Sequence, residues 1–250
     1  RHPAAPLPIV DRLVRQAKLA AEREDAGGVR DGAVDTVLLL DVLEHIPDPE
    51  LALSEAHRVL ADSGTLYLHL DYREAHYAKV LLDGLFGREC FLNEIIWAYD
   101  YGAKSRRRWP TKHDTILVYV KDPAGYYFDS EAVDREPYMA PGLVTPEKAA
   151  MGKLPTDVWW HTIVSPTGKE KTGYPTQKPL GILRRILQAS SKPDDLVLDF
   201  FGGSGSTGAA ALELDRRFIL VDQNPEAIEV MKKRFEGKNV PFVEGIPILE

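Results

Sequence analysis

The stretch Leu196-Val-Leu-Asp-Phe-Phe-Gly-Gly-Ser-Gly-Ser-Thr-Gly208 leaves a chain few folds to choose from. Its first residues are an apolar run leading into an acid, Asp199, which suits a parallel strand buried on both faces. Gly202, Gly203 and Gly205 then let the backbone turn tightly and approach a ligand with no Cβ in the way. Residues 208–214 are strong helix formers, so the loop opens a helix. A second apolar strand, 217–221, ends at Asp222, which follows Asp199 by 23 residues. Strand, glycine loop, helix, strand and acid in that order make a nucleotide site, with the second acid placed to accept hydrogen bonds from ribose hydroxyls.

Two features argue against a phosphate ligand. The loop lacks the lysine of a P-loop. It also begins at Asp199, which repels phosphate but pairs with a cationic or amino-bearing group. S-adenosylmethionine fits these terms, having a ribose, an ammonium, a sulfonium and no phosphate. We therefore expect Asp199, Phe200, Gly202, Gly203, Ser204, Gly205, Ser206, Thr207 and Gln223 to hold this cofactor, and Asp222 to hold its ribose.

Asp199-Phe-Phe-Gly-Gly-Ser-Gly-Ser-Thr207 resembles the cofactor loop of the amino-methylating DNA methyltransferases, Asp-Pro-Phe-x-Gly-Ser-Gly-Thr. Upstream, Gly173-Tyr-Pro-Thr-Gln-Lys-Pro-Leu180 is similar to the family's second cofactor element, His/Tyr-Pro-Thr-Gln-Lys-Pro. The two lie in this order about twenty residues apart. The resemblance runs from about residue 50 to 236. It implies an α/β, Rossmann-like S-adenosylmethionine-dependent methyltransferase sheet with permuted motif order, the β group that includes adenine-N6 and cytosine-N4 enzymes. It also places Thr176 and Lys178 beside the cofactor's amino-acid end.

The length of 250 residues suits one such domain with an elaborated insert. We read 1–33 as an N-terminal extension with an amphipathic helix over 10–23, and 34–250 as the methyltransferase domain. The first residue is Arg1 rather than Met, so a natural start upstream is among the expectations. The formal charge of −7 gives no general attraction to nucleic acid, and DNA contact must come from a local basic patch. The single cysteine, Cys90, reads as a packed thiol. No metal site is expected. No apolar stretch of membrane-spanning length and no signal peptide is visible, so we expect a cytoplasmic protein.

Residues 34–41 read as a buried strand ending in an acid, where the family places its catalytic loop, Asp/Asn/Ser-Pro-Pro-aromatic. An exocyclic base amine is a poor nucleophile because its lone pair is delocalised into the ring. The polar side chain and a loop carbonyl accept its N–H bonds, and the aromatic residue stacks on the flipped base. This chain carries Asp41-Val-Leu-Glu-His-Ile-Pro-Asp-Pro49 instead. Asp41 takes the acceptor position as catalytic candidate, while Glu44 stands where the aromatic belongs. Locally the segment resembles the corresponding strand of small-molecule methyltransferases. A helix-capping or loop acid is the plain alternative for Asp41, and a satisfied loop histidine is the plain reading of His45.

Further along, the pattern gives helices over 50–60, 73–86, 180–191 and 225–235, with Asp62-Ser63-Gly64 as an exit turn. Strands are expected over 65–71, 91–99 and 113–121, with an edge strand at 240–244. Residues 99–112 concentrate charge and aromatics. Lys104, Arg106, Arg107, Arg108 and Lys112, beside Tyr101 and Trp109, suit a DNA-facing loop that tracks phosphates. Residues 122–172 hold six prolines and break the alternation of strand and helix. We read them as a target-recognition excursion with a small helix near 146–152. Trp159-Trp160 reads first as a packed anchor and second as a base-stacking surface.

The sequence thus points to methyl transfer from S-adenosylmethionine to adenine N6 of double-stranded DNA. Three alternatives stay open: cytosine N4 as acceptor, a small-molecule methyltransferase, and a catalytically inert relative that binds DNA or cofactor. A homodimer and a restriction-modification partner are possible company.

Overall fold

The computed structural model describes residues 29–243 apart from positions 42, 44, 45, 47 and 103. The helix expected over 10–23, and the candidates Glu44 and His45, lie outside the described residues. The fold is built on seven strands: β1 (Val34–Leu40), β2 (Leu60–Leu70), β3 (Phe91–Ala98), β4 (His113–Val120), β5 (Val158–Trp160), β6 (Leu196–Asp199) and β7 (Arg217–Leu220). They form one sheet in the order β5-β3-β4-β2-β1-β6-β7. Only β4 runs against its neighbours; the pairs β1–β2, β1–β6, β6–β7 and β3–β5 are parallel.

Helices cover both faces, which is why the central strands read as near-continuous apolar runs. On one face α1 (Pro49–Val59) and α2 (Ala75–Phe86) pack over Val37, Leu39, Leu66, Leu68, Leu117 and Tyr119. On the other, α4 (Leu180–Ser190) and α5 (Ser206–Glu213) lie over the alternate residues Leu38, Tyr67, Ile116, Val118 and Val197. The short α3 (Pro146–Met151) buries none of its side chains, and α6 (Pro225–Arg234) packs through Ala227 and Met231. Caps set the helix starts: Asp48 accepts from the Leu51 amide and Asn224 from that of Glu226, each followed by proline. Cys90 is buried, its thiol 3.6 Å from the Lys121 carbonyl.

Three expectations change. The Asp62-Ser63-Gly64 turn lies inside β2, which starts at Leu60; its pairing with β1 jumps from Val34–Leu60 to Thr36–Thr65. The extra residues are taken up as a bulge instead of ending the strand. The excursion after residue 122 contributes β5 to the sheet edge, so it is not wholly outside the sheet. Residues 240–243 carry no strand, and β7 keeps a free edge among the described residues.

The order reverses between β1 and β6. From β1 the sheet grows toward β2, and from β6 it grows toward β7. In open α/β sheets ligands bind outside the carboxyl ends of the strands at such a switch point.

Candidate functional site

The carboxyl ends of β1 and β6 present Asp41 and Asp199. Asp199 is buried, with both oxygens occupied: Oδ2 accepts from the Thr207 hydroxyl at 2.6 Å and Oδ1 from the Phe201 amide at 3.0 Å. Burial pushes its carboxyl up to about 6, with Asp222 adding to the rise; the two hydrogen bonds and Lys178 work against it.

The glycine loop between β6 and α5 is closed from two sides. The Gly202 amide donates to the Val221 carbonyl at 2.9 Å, and the Gly205 amide to the Gly202 carbonyl at 2.7 Å. The Gly203 amide donates to Asp222 Oδ2 at 2.8 Å, while Asp222 Oδ1 accepts from the Asn224 amide at 2.8 Å. The second acid therefore locks the loop. Gly205 caps α5 at φ +72°, and a Cβ there would meet Met231 Cγ at 3.0 Å. Phe200, Ser204, Ser206 and Thr207 are buried behind the loop, with the Ser204 and Ser206 hydroxyls 2.9 Å apart. Gln223 is exposed and, with Asp222, borders a cavity of about 720 Å³ along the free edge of β7.

The segment before α4 folds over this loop. Gln177 is buried and organises it: Oε1 accepts from the Thr172 amide at 2.8 Å and hydroxyl at 2.9 Å, and Nε2 donates to the Glu170 carbonyl at 2.6 Å. Thr176 is exposed at the turn. Lys178 reaches the end of β1, where Nζ lies 3.1 Å from Asp41 Oδ2. Asp41 has a left-handed backbone, φ 59°, and its amide donates to the His69 carbonyl at 2.9 Å. Burial alone would raise the Asp41 carboxyl, but Lys178 and then His69 outweigh it and hold it below the usual range.

Sequence reasoning assigns no role to four neighbours that the fold brings here. His69 is buried on β2, with Nε2 3.2 Å from Asp114 Oδ2, and Asp114 Oδ1 accepts from the Tyr99 hydroxyl at 3.1 Å. Burial, then Lys178, lowers the His69 pKa, so its ring is neutral near pH 7. Tyr174 lies against Gly203, where an added Cβ would meet its ring at 3.2 Å. Tyr174 sits inside the Tyr-Pro-Thr-Gln-Lys-Pro motif and His69 alternates with apolar residues, but their partners are distant in sequence.

The basic loop leaves β3 and returns into β4, with its base tied by the Tyr99 amide to the Lys112 carbonyl at 2.9 Å. Because β3 runs parallel to β1, β2 and β6, this loop emerges at the end of the sheet that carries Asp41 and the glycine loop. Lys104, Arg106, Arg107 and Arg108 are exposed. Ser105 Oγ accepts from the Arg107 and Arg108 amides at 3.2 Å each, and Arg108 donates to the Tyr72 hydroxyl at 3.1 Å. Lys112 is half-buried, with Nζ 3.3 Å from the Gly102 carbonyl. Trp109 is 94% exposed and Trp160, at the end of β5, 75%, while Trp159 is packed. The pair thus divides between anchor and open surface. No helix of the described residues is long and apolar enough to cross a membrane.

Fold and site together define a Rossmann-like methyltransferase domain. Residues 44–233 match the family described as DNA methylase, and the chain belongs to that family. Residues 7–68 also match a family described as methyltransferase domain. The DNA adenine methyltransferase YhdJ of Escherichia coli K12 is 32% identical over 192 residues, which cover 74% of this chain and 64% of the relative. Type II methyltransferase M2.MboI of Moraxella bovis is 45% identical over 195 residues, covering 73% and 63%. The chain thus spans less than two thirds of the length of these curated relatives. Among solved structures, M1.HpyAVI in complex with SAM superposes with a TM-score of 0.60 at 25% identity, over 81% of this chain and 88% of that one. The cytosine-N4-specific PvuII DNA methyltransferase shares the fold with a TM-score of 0.62 at 15% identity, over 85% and 83%.

Proposed function

We propose that this chain transfers a methyl group from S-adenosylmethionine to adenine N6 in double-stranded DNA. One observation carries the reading: the glycine loop with its two acids, the Asp41–Lys178 pair and the basic loop all stand at the carboxyl end of one sheet. The residues fit the cofactor. The loop sets acids, not cations, at the two strand ends, and Gly205 holds a conformation that a side chain would strain. When bound, S-adenosylmethionine supplies a methyl group made electrophilic by its sulfonium. Asp199, hydrogen-bonded through both oxygens, would act on the cofactor's ammonium through its charge, while Asp222 and Gln223 would hold the ribose and Thr176 and Lys178 the amino-acid end. Phe200, Gly202, Gly203, Ser204, Ser206 and Thr207 shape the cradle.

Asp41 accepts an N–H of the target amine and localises its lone pair toward the methyl group. Lys104, Arg106, Arg107, Arg108 and Lys112 hold DNA phosphates, and Trp160 offers a face for a base. Residues 122–172 read the target. On this reading the protein works in the cytoplasm, with a homodimer and a restriction enzyme as its possible company.

Radiolabelled methyl transfer to mixed-sequence DNA, followed by digestion to nucleosides, tests the proposal. Label in N6-methyl-2′-deoxyadenosine supports it, and label in N4-methyl-2′-deoxycytidine moves the acceptor. The Asp41 loop lacks Pro-Pro-aromatic, and this favours a second reading, an inert relative. Normal cofactor uptake with no label in any nucleoside would select it.

A further inference from the structure

Lys178 is the cation of the switch point, and three titratable groups feel it. It lowers the carboxyls of Asp41 and Asp199 and the imidazole of His69. Its direct partner is Asp41, 137 positions away in sequence, and the two side chains are only 14% and 31% exposed. A carboxylate in such an ion pair is a weaker acceptor for a second donor, because the ammonium offsets its charge and takes up one side of Oδ2. The amino-acid end of the methyl donor brings a carboxylate and an ammonium together. On the proposed donor site Lys178 is the cation at that same end, and its charge also acts on Asp199 behind the loop. A lysine on a four-carbon stem moves between neighbouring carboxylates at little cost.

We propose that Lys178 changes partner, pairing with Asp41 in the donor-free protein and with the donor's carboxylate in the loaded one, so that Asp41 becomes the stronger acceptor for the substrate amine when donor is in place. The inference rests on the proposed donor site and adds a coupling to it. Donor binding and amine acceptance then share one ion, and by linkage each favours the other. The exchange also gives the Asp41–Lys178 contact a reason to form at a site where an acceptor needs open lone pairs.

Titration calorimetry with two ligands tests the exchange: S-adenosylmethionine, and 5′-methylthioadenosine, which keeps the nucleoside but lacks the amino-acid end. Asp41→Asn removes the competitor for Lys178. It should tighten S-adenosylmethionine by about fivefold or more while leaving 5′-methylthioadenosine unchanged. Lys178→Met should weaken S-adenosylmethionine alone, and in that background Asp41→Asn should have no further effect. Carboxyl NMR of the wild-type protein gives an independent reading, since the Asp41 pKa should rise when S-adenosylmethionine is added. Unchanged or weaker S-adenosylmethionine binding by a folded Asp41→Asn variant, with an unmoved Asp41 pKa, would overturn the exchange. If wild-type protein takes up 5′-methylthioadenosine but not S-adenosylmethionine, the nucleoside site stands and the exchange falls. If it takes up neither, the donor site itself falls and the exchange with it.

Discussion

Thr207 donates its hydroxyl to Asp199 Oδ2 at 2.6 Å, tying the first turn of α5 back to the end of β6. The bond lies inside the protein, so a carboxylate is held where water cannot solvate it. Burial raises its pKa to about 6 from an ordinary 3.8. Below 3.8 both folded and unfolded chains hold the proton, and there is no cost. Between those values the unfolded chain ionises first, and above 6 the full cost of a buried charge is present, on the order of 3 kcal/mol. Asp199→Asn should therefore raise the melting temperature at pH 7.5 and gain little at pH 4. Thermal melts of both proteins across this range measure the difference. A cationic ligand reverses the balance by favouring the ionised carboxyl, so S-adenosylmethionine affinity should fall as pH drops below 6.

Gly208 tests how tightly α5 packs on the β7 side. A Cβ there would stand 2.8 Å from Leu220 Cδ1, 2.8 Å from Phe218 Cε2 and 2.9 Å from Phe235 Cζ. Two of these atoms belong to stiff rings, so the neighbours cannot all give way. Gly208→Ala should cost about 1–3 kcal/mol in urea unfolding, despite alanine's better helix propensity. A neutral or stabilising result would mean that the helix shifts freely on the sheet.

The basic loop should act through charge alone. Arg106 and Arg107 are exposed, so replacing both with alanine should leave thermal stability unchanged. For every phosphate that the variant no longer neutralises, the slope of log affinity against log salt should flatten by about 0.9, on any DNA sequence. Fluorescence anisotropy with a labelled duplex at several salt concentrations reads this slope. An unchanged slope would remove both residues from the DNA interface.

The donor half of the site was legible because it is local. Strand, glycines, helix and acid follow one another within 196–222, and each residue type has a backbone reason to be there. The Asp41–Lys178 contact was not legible as a contact, since it joins segments that only the permuted sheet brings together. Propensity also misled at β2, where Asp62-Ser63-Gly64 has turn chemistry but the parallel partner strand carries pairing across it as a bulge. The three-residue β5 was hidden among prolines and loop residues, and it exists because β3 offers it an edge. Two-residue alternation along β2 accounts for His69 lying on a sheet face. It could not show that the ring meets Asp114 on a strand 45 positions later.

That ring supplies the last expectation. His69 Nε2 is paired with Asp114, while Nδ1 is buried with no hydrogen-bond partner. Because Asp114 has only acceptors to offer when ionised, Nε2 carries the ring proton and Nδ1 the lone pair. Burial and Lys178 resist a second proton more than Asp114 and Asp41 favour it, so the folded pKa lies below 6.5. Above 6.5 neither state binds the extra proton and the histidine leaves stability flat. As pH falls through 6.5 the unfolded chain takes up a proton that the folded ring refuses, and stability declines until the folded pKa is reached. His69→Gln keeps a donor for Asp114 and removes the titration. Its melting temperature should start lower at pH 7.5, where a packed ring is lost, yet fall less steeply than wild type between pH 7 and 5. Parallel slopes for the two proteins over that interval would show that His69 titrates alike in both states.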